Sequence, residues 1–213
     1  MKKIKILLLI IVCIMLFSTA VYGSDLVIKD ETNLQKEINL NDYPRDSRER
    51  FVASLAIEKN ISYEEADALE KETASEIIIT RSPVEILKYK TVDKHAGTIS
   101  GDSYNQVVYI ATEVRYVWNQ YSNELVYIES LGSPLMYLPG VTSSSLSMQG
   151  GDFNIEKYNT SGRISRTVSF TYTVEGITIS IGGDILGVST TTDGTRITTR
   201  AKTYDINITE SDL

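Results

Sequence analysis

His95 is the only histidine in this chain of 213 residues, and Cys13 is the only cysteine. Those two counts remove much of the usual catalytic chemistry. A zinc centre built on histidine and thiolate needs several nitrogen or sulfur ligands, and the chain has too few. A Ser-His-Asp triad could form only around His95, with Asp93 or Asp102 orienting the ring and Ser100 or Ser103 attacking. No G-x-S-x-G elbow surrounds those serines. A solvent-exposed loop histidine is the simpler reading.

Carboxylates offer a second chemistry. Asp102, Asp152 and Asp184 each follow a glycine, in Gly101-Asp102, Gly151-Asp152 and Gly183-Asp184. Loop carboxylates suit calcium, a hard cation that takes oxygen ligands. Two of them within about 5–10 Å of each other in a cleft would suit glycoside hydrolysis. Gly and Asp together also make turns and bulges, and no D-x-D-x-D-G spacing is present. The turn reading is preferred, so no metal and no cofactor are expected.

Aromatic residues offer binding rather than catalysis. Tyr104, Tyr109, Tyr116, Trp118, Tyr121, Tyr127 and Tyr137 crowd one stretch. An exposed row of rings could stack on sugars or anchor a protein partner. Strand-forming aromatics also fill cores, and Tyr116 and Trp118 share an apolar face with Val108, Ile110 and Val114. Tyr121, in a predicted turn, is the best exposed candidate, with Trp118 and Tyr104 as the other candidate binding residues.

These side chains must be positioned mainly by strands. From residue 76 the apolar period is 2. Glu76–Arg81 and Val84–Val92 read as strands interrupted by Ser82-Pro83, and Asp93–Ser103 reads as a loop. Asn105–Trp118 is a long strand, Asn119–Asn123 a turn and Glu124–Leu131 the return. Ser145–Tyr158 is a strand bulged at Gly150-Gly151. In Ile164–Val174 every odd position is Ser or Thr and nearly every even one is apolar. Ile177, Ile179 and Ile181 continue that pattern after Glu175-Gly176, so Ser165–Ser180 reads as a hairpin. Asp193-Gly194 marks another hairpin, between Ile185–Thr191 and Thr195–Ile208. Gly150-Gly151-Asp152-Phe153 and Gly182-Gly183-Asp184-Ile185 begin a partial internal repeat. The expected fold is mainly β, an antiparallel β-sandwich or open barrel over 76–213.

A short α-helical hairpin over 46–75 precedes it. Asp46 or Ser47 caps the first helix, whose stripe is Phe51, Val52, Leu55 and Ala56. Asn60 suits a left-handed C-cap, and Ser62 with Glu65 forms a capping box. The second helix has few apolar residues, so the pair must lean on something larger or stay mobile. Residues 24–45 are polar and read as a linker or arm.

The first 23 residues place the chain. Lys2, Lys3 and Lys5 precede the apolar run Ile6–Phe17, then small residues appear at Ser18, Ala20 and Gly23. That is the layout of a secretory signal peptide, with cleavage expected after Gly23. The run is shorter than the roughly 20 apolar residues a spanning helix needs, so no transmembrane segment is expected after cleavage. Removing the leader removes the cysteine and three of the 21 basic residues. That leaves 18 against 28 acidic, a net charge of −10. Nucleic acid is a poor partner for that charge. Signal, cysteine-free mature chain, acidic helical hairpin and Ser/Thr-rich β-domain together resemble, in style alone, small exported proteins of Gram-positive bacteria. The expectation is a secreted, non-enzymatic module binding a protein or carbohydrate at or near the cell surface. The alternatives are a membrane-active protein using the Ser165–Ser180 hairpin as a pore-lining element, and a carboxylate-based polysaccharide hydrolase.

Overall fold

The computed structural model describes residues 38–79 and 84–213. The predicted leader, residues 24–37 and the Ser82-Pro83 interruption lie outside the described residues.

Two helices come first. Helix α1 (Arg48–Lys59) starts at Ser47, whose hydroxyl accepts from the Arg50 amide at 3.1 Å. It ends at Asn60, left-handed at φ 52°, ψ 47°. Asn tolerates that region better than most residues carrying a Cβ, which is why it stops the helix without strain. Helix α2 (Tyr63–Ile79) opens with the predicted capping box. The Glu65 amide donates to the Ser62 hydroxyl at 3.2 Å, and the Ser62 amide donates to the Glu65 carboxylate at 2.9 Å. These bonds hold the Glu65 carboxyl below its ordinary pKa. The expectation of a strand over Glu76–Arg81 is overturned, because α2 continues through Ile77 to Ile79. Isoleucine costs a helix only a few tenths of a kcal/mol per residue, less than abandoning a ladder already nucleated.

Among the described residues ten strands follow: β1 (Glu85–Ser100), β2 (Asn105–Asn119), β3 (Glu124–Leu131), β4 (Leu135–Tyr137), β5 (Ser147–Gly150), β6 (Asn154–Lys157), β7 (Gly162–Val174), β8 (Ile185–Thr191), β9 (Gly194–Thr199) and β10 (Lys202–Ile208). All paired strands run antiparallel. The expected loop at Asp93–Ser103 is mostly strand, since β1 runs to Ser100. Its polar residues alternate along a wet face, and a bulge between His95 and Gly97 absorbs the extra residue. Gly97 has φ +155°, and a Cβ there would stand 2.9 Å from the Tyr204 ring, so glycine serves both the bulge and the packing.

The first sheet is β1, β2 and then β3 continued by β4. The second is β8, then β9 continued by β10, then β7, then β5 continued by β6. Thr171 pairs with both β5 and β9, and Ile164 with both β6 and β10, which places the two broken strands on opposite flanks of β7. The sheets enclose one core that includes Val108, Ile110, Val114 and Tyr116 from β2, with Ile164, Val168, Phe170 and Tyr172 from β7. Lys94 and Lys202 reach across from β1 and β10 to Asn207 and Thr98 carbonyls at 2.8 and 2.9 Å. Opposite, the Ile128 amide donates to the Asn159 carbonyl at 2.7 Å. The fold is mainly β: two helices ahead of antiparallel sheets, one of them curled into a half-barrel.

Two smaller expectations fail. Ser165–Ser180 is not a hairpin, because β7 pairs with β5, β6, β9 and β10 while residues 177–180 belong to no strand. The Asp193-Gly194 hairpin captures β9, and only one return strand fits beside that end of β7. The partial repeat is not structural either. Gly150–Asp152 splits an edge strand into β5 and β6, whereas Gly182–Asp184 turns the chain into β8, with Gly183 at φ +57°.

Candidate functional site

Strand β2 sends alternate residues to opposite sides of its sheet. Val108, Ile110 and Val114 enter the core, and Tyr109, Ala111, Glu113, Arg115 and Val117 line the outer face. Among the described residues, the helices cover one half of that face, and the half that bears Tyr109 stays partly exposed.

The covered half is held by charge. Arg50 of α1 donates through Nε to Glu113 Oε1 at 2.6 Å, and Thr91 of β1 donates to Glu113 Oε2 at 2.7 Å. Arg115 reaches Glu129 at 2.6 Å and the Thr73 hydroxyl at 3.0 Å. Glu70 of α2 is fully buried and takes the Tyr89 hydroxyl on one carboxylate oxygen and the Arg48 guanidinium on the other. Burial first, then the bond to Glu70, drives the Tyr89 phenol well above its ordinary pKa. Phe51 seals the seam against Tyr89 at a ring separation of 5.6 Å, with the Arg115 guanidinium 5.2 Å from its centroid.

The open half carries rings. His95, Tyr109 and Tyr137 stand in one cross-strand row, His95 opposite Tyr109 in β1–β2 and Tyr109 opposite Tyr137 in β2–β4. Tyr109 and Tyr137 stack with centroids 5.6 Å apart and planes inclined by 25°. His95 meets Tyr109 edge-on at 5.9 Å. The Tyr137 hydroxyl donates to both Asp93 carboxylate oxygens, at 2.9 and 2.8 Å, which locks the ring in place. Burial, then the bond to Asp93, pushes its pKa up to about 12. Val107 and Leu135, 38% and 51% exposed, extend the apolar floor on either side. The result is a shallow platform of two stacked tyrosines, an imidazole, a carboxylate and two aliphatic side chains.

The candidates read from sequence do not converge there. Tyr121 is 91% exposed, as expected, in the β2–β3 turn that the Asn119 side chain fixes by accepting from the Tyr121 and Ser122 amides. Trp118 is half-buried at the same end, edge-on to Tyr116, with the Lys88 ammonium 4.7 Å from its centroid. Tyr104 lies at the opposite end of β2, a strand roughly 50 Å long at about 3.3 Å per residue, and packs against the core. It donates to Gln106 at 2.7 Å. These three residues cannot share one ligand of ordinary size.

The triad does not assemble. His95 Nε2 contacts the Thr98 hydroxyl at 3.2 Å, Asp93 is held by Tyr137, and the Ser100 amide bonds Asp184. Two of the three aspartates share one end of the sandwich. Gly182 packs directly on the Asp102 carboxylate, and the Asp184 amide donates to the Ser100 carbonyl. Asp184 Oδ2 accepts from Ser100 N and Lys202 Nζ, each at 2.9 Å. Burial pushes the Asp184 pKa upward, but those two donors outweigh it and hold the carboxyl below its ordinary value. Asp152 lies on the far edge of the sheet, between β5 and β6. Among the described residues no three His, Cys, Asp or Glu side chains are grouped to hold a metal ion.

A second polar feature lies on the outer face of the other sheet. Ser144, Ser145, Ser147, Thr171, Thr173 and Arg196 line an open groove of about 220 Å³. It belongs to the hydroxyl face read from Ile164–Val174.

What sequence reasoning missed is the pairing of Tyr109 and Tyr137. The available signal was the alternation of β2, which puts Tyr109 opposite the core-facing Val108 and Ile110. Comparison with known proteins adds no further assignment: no family model, no curated protein and no solved structure matches the chain.

Proposed function

We propose that the protein is an exported, non-enzymatic binding module acting at or near the cell surface, and that the Tyr109–Tyr137 platform holds a carbohydrate ligand there. The observation that carries this reading is the stacked, register-matched pair of tyrosines, partly exposed among the described residues beside the helix-covered half of the face. Aromatic faces carry partial negative charge and receive the C–H groups of a sugar ring, while Asp93 and His95 at the rim supply hydrogen-bonding groups for its hydroxyls. The leader read from Met1–Gly23 supports export, and a net charge of −10 after its removal favours a neutral ligand over an anionic one.

Co-sedimentation with insoluble bacterial cell walls, chitin and cellulose tests the proposal. Binding to one of these should weaken at least tenfold in Tyr109→Ala, about 1.4 kcal/mol, and stay unchanged in Tyr121→Ala. Retention of binding in Tyr109→Ala, or its loss in Tyr121→Ala, contradicts the assignment.

A further inference from the structure

Sheets end in strands whose outward N–H and C=O groups have no ladder partner, and proteins protect such edges with charge, proline, bulges or brevity. Here the edges differ sharply. Strand β1 carries Glu85, Lys88, Lys90, Asp93 and Lys94, and is tied across to β10 by Lys94 and Lys202. Strand β3 carries Glu124 and Glu129, and Lys157 of β6 donates to the Glu129 carbonyl at 2.6 Å. Strand β5 has only four residues and ends in Gly150, which lies so close to β7 that a Cβ would strike the Thr167 carbonyl at 2.2 Å.

Strand β8 has the least of these protections: its ladder with β9 is bulged between Ile185 and Gly187, and from Gly187 to Thr191 it runs in regular register. It is seven residues long, Ile-Leu-Gly-Val-Ser-Thr-Thr, with no charge and no proline. Its ladder is with β9 on one side. Among the described residues, no backbone group of 186–191 bonds outside that ladder. Ser189, Thr190 and Thr191 are exposed, as are Leu186 near its start, 52%, and Ile181 in the turn before it, 62%. The chain is also free of charged residues from Gly176 to Thr192 except Asp184, which Lys202 neutralises.

We infer that β8 docks a second copy of this chain, edge to edge and antiparallel, so that the second sheet continues through a two-fold axis. Charge identifies the occupant. Two copies of a molecule carrying net −10 repel each other over most of their surfaces, and the β8 edge is where that repulsion is least. An uncharged edge gives no preference to a basic or acidic partner, and it complements an uncharged strand of like length, which a second copy provides. An antiparallel strand pair is also self-complementary, as an isologous interface requires. Main-chain bonds along β8 supply the affinity, and the two-fold axis sets the Leu186 end of each strand beside the Thr190–Thr191 end of the other.

Sedimentation equilibrium of the protein expressed from its full-length sequence, run from micromolar to millimolar concentration, tests this. The wild type should associate to a dimer. Ser189→Lys places a charge on the edge of both copies and should weaken association at least tenfold. Gln149→Lys, the same change on the β5 edge, should leave it unaltered. If Ser189→Lys perturbs the far-ultraviolet circular dichroism, Thr190→Lys replaces it. A wild type that stays monomeric throughout, or a dimer that survives the β8 lysine, or one equally sensitive to Gln149→Lys, overturns the inference.

Discussion

Tyr137 ties the platform to its sheet through a phenol that must stay protonated to donate to Asp93. Its pKa, raised to about 12 by burial and then by Asp93, has a consequence for stability. Tyr204 follows suit, raised to about 12 by burial and then by the charge of Asp184. An unfolded tyrosine ionises near pH 10, so the unfolded chain sheds these protons first. The protonated phenols therefore stabilise the fold fully below about pH 10, and that contribution disappears as pH rises through about 12. Urea midpoints should hold steady up to about pH 10 and fall between about 10 and 12. Tyrosinate absorbance in the native protein should show a late-titrating class that shrinks in Tyr137→Phe. Single residues of this kind were poorly legible in the sequence. Asp93 and Tyr137 lie 44 positions apart and meet only because β4 pairs with β2 where β2 pairs with β1. Local signals did better: Ser47, Asn60, Ser62 and Glu65 each act within a few residues of themselves, and each takes its expected part.

Elements pose a different question, namely how a helical pair with so thin an apolar stripe stays on the sheet. It docks through ion pairs as much as through apolar contact. Val52, Ala56 and Ala66 make a small cluster, and Gly132 lets α1 approach, since a Cβ there would stand 2.7 Å from the Ser54 hydroxyl. Phe51 packs on Tyr89, and ion pairs join Arg50 to Glu113 and Arg48 and Arg115 to Glu70. Such pairs add little over an apolar substitute, but removing one partner strands a buried charge. Glu113→Ala should cost about 3–5 kcal/mol in urea unfolding, and Arg50→Met with Glu113→Leu should recover most of that loss. Amide exchange in α1 should accelerate in the single variant relative to β7. This network was not legible in the sequence, because Glu113 and Arg115 find their helical partners Arg50 and Glu70 far away along the chain. The same limit explains Glu76–Arg81, where an apolar period of 2 pointed to a strand and an already capped helix kept going to Ile79.

At the scale of the molecule, strand periodicity proved the most readable signal. The strict alternation of Ile164–Val174 identified β7, the central strand of the second sheet, and its apolar positions are the core. Pairing order was not readable, since period 2 says which face a residue takes and nothing about which strand lies alongside. That is why Ser165–Ser180 looked like a hairpin when β7 in fact lies between two interrupted strands. Among the described residues, this two-sheet core and the charged helix seam hold the fold together. They also position, among the described residues, the partly exposed tyrosine platform on one sheet and the β8 edge on the other.

The most direct measurement is residue-resolved hydrogen exchange with and without soluble fragments of the cell-wall, chitin or cellulose polymer that the protein co-sediments with. The binding-module account predicts added protection confined to Asp93–His95, Val107–Ala111 and Leu135–Tyr137. Protection concentrated instead around Ser100–Tyr104 and Gly182–Asp184, or at the Tyr121 turn, would contradict it.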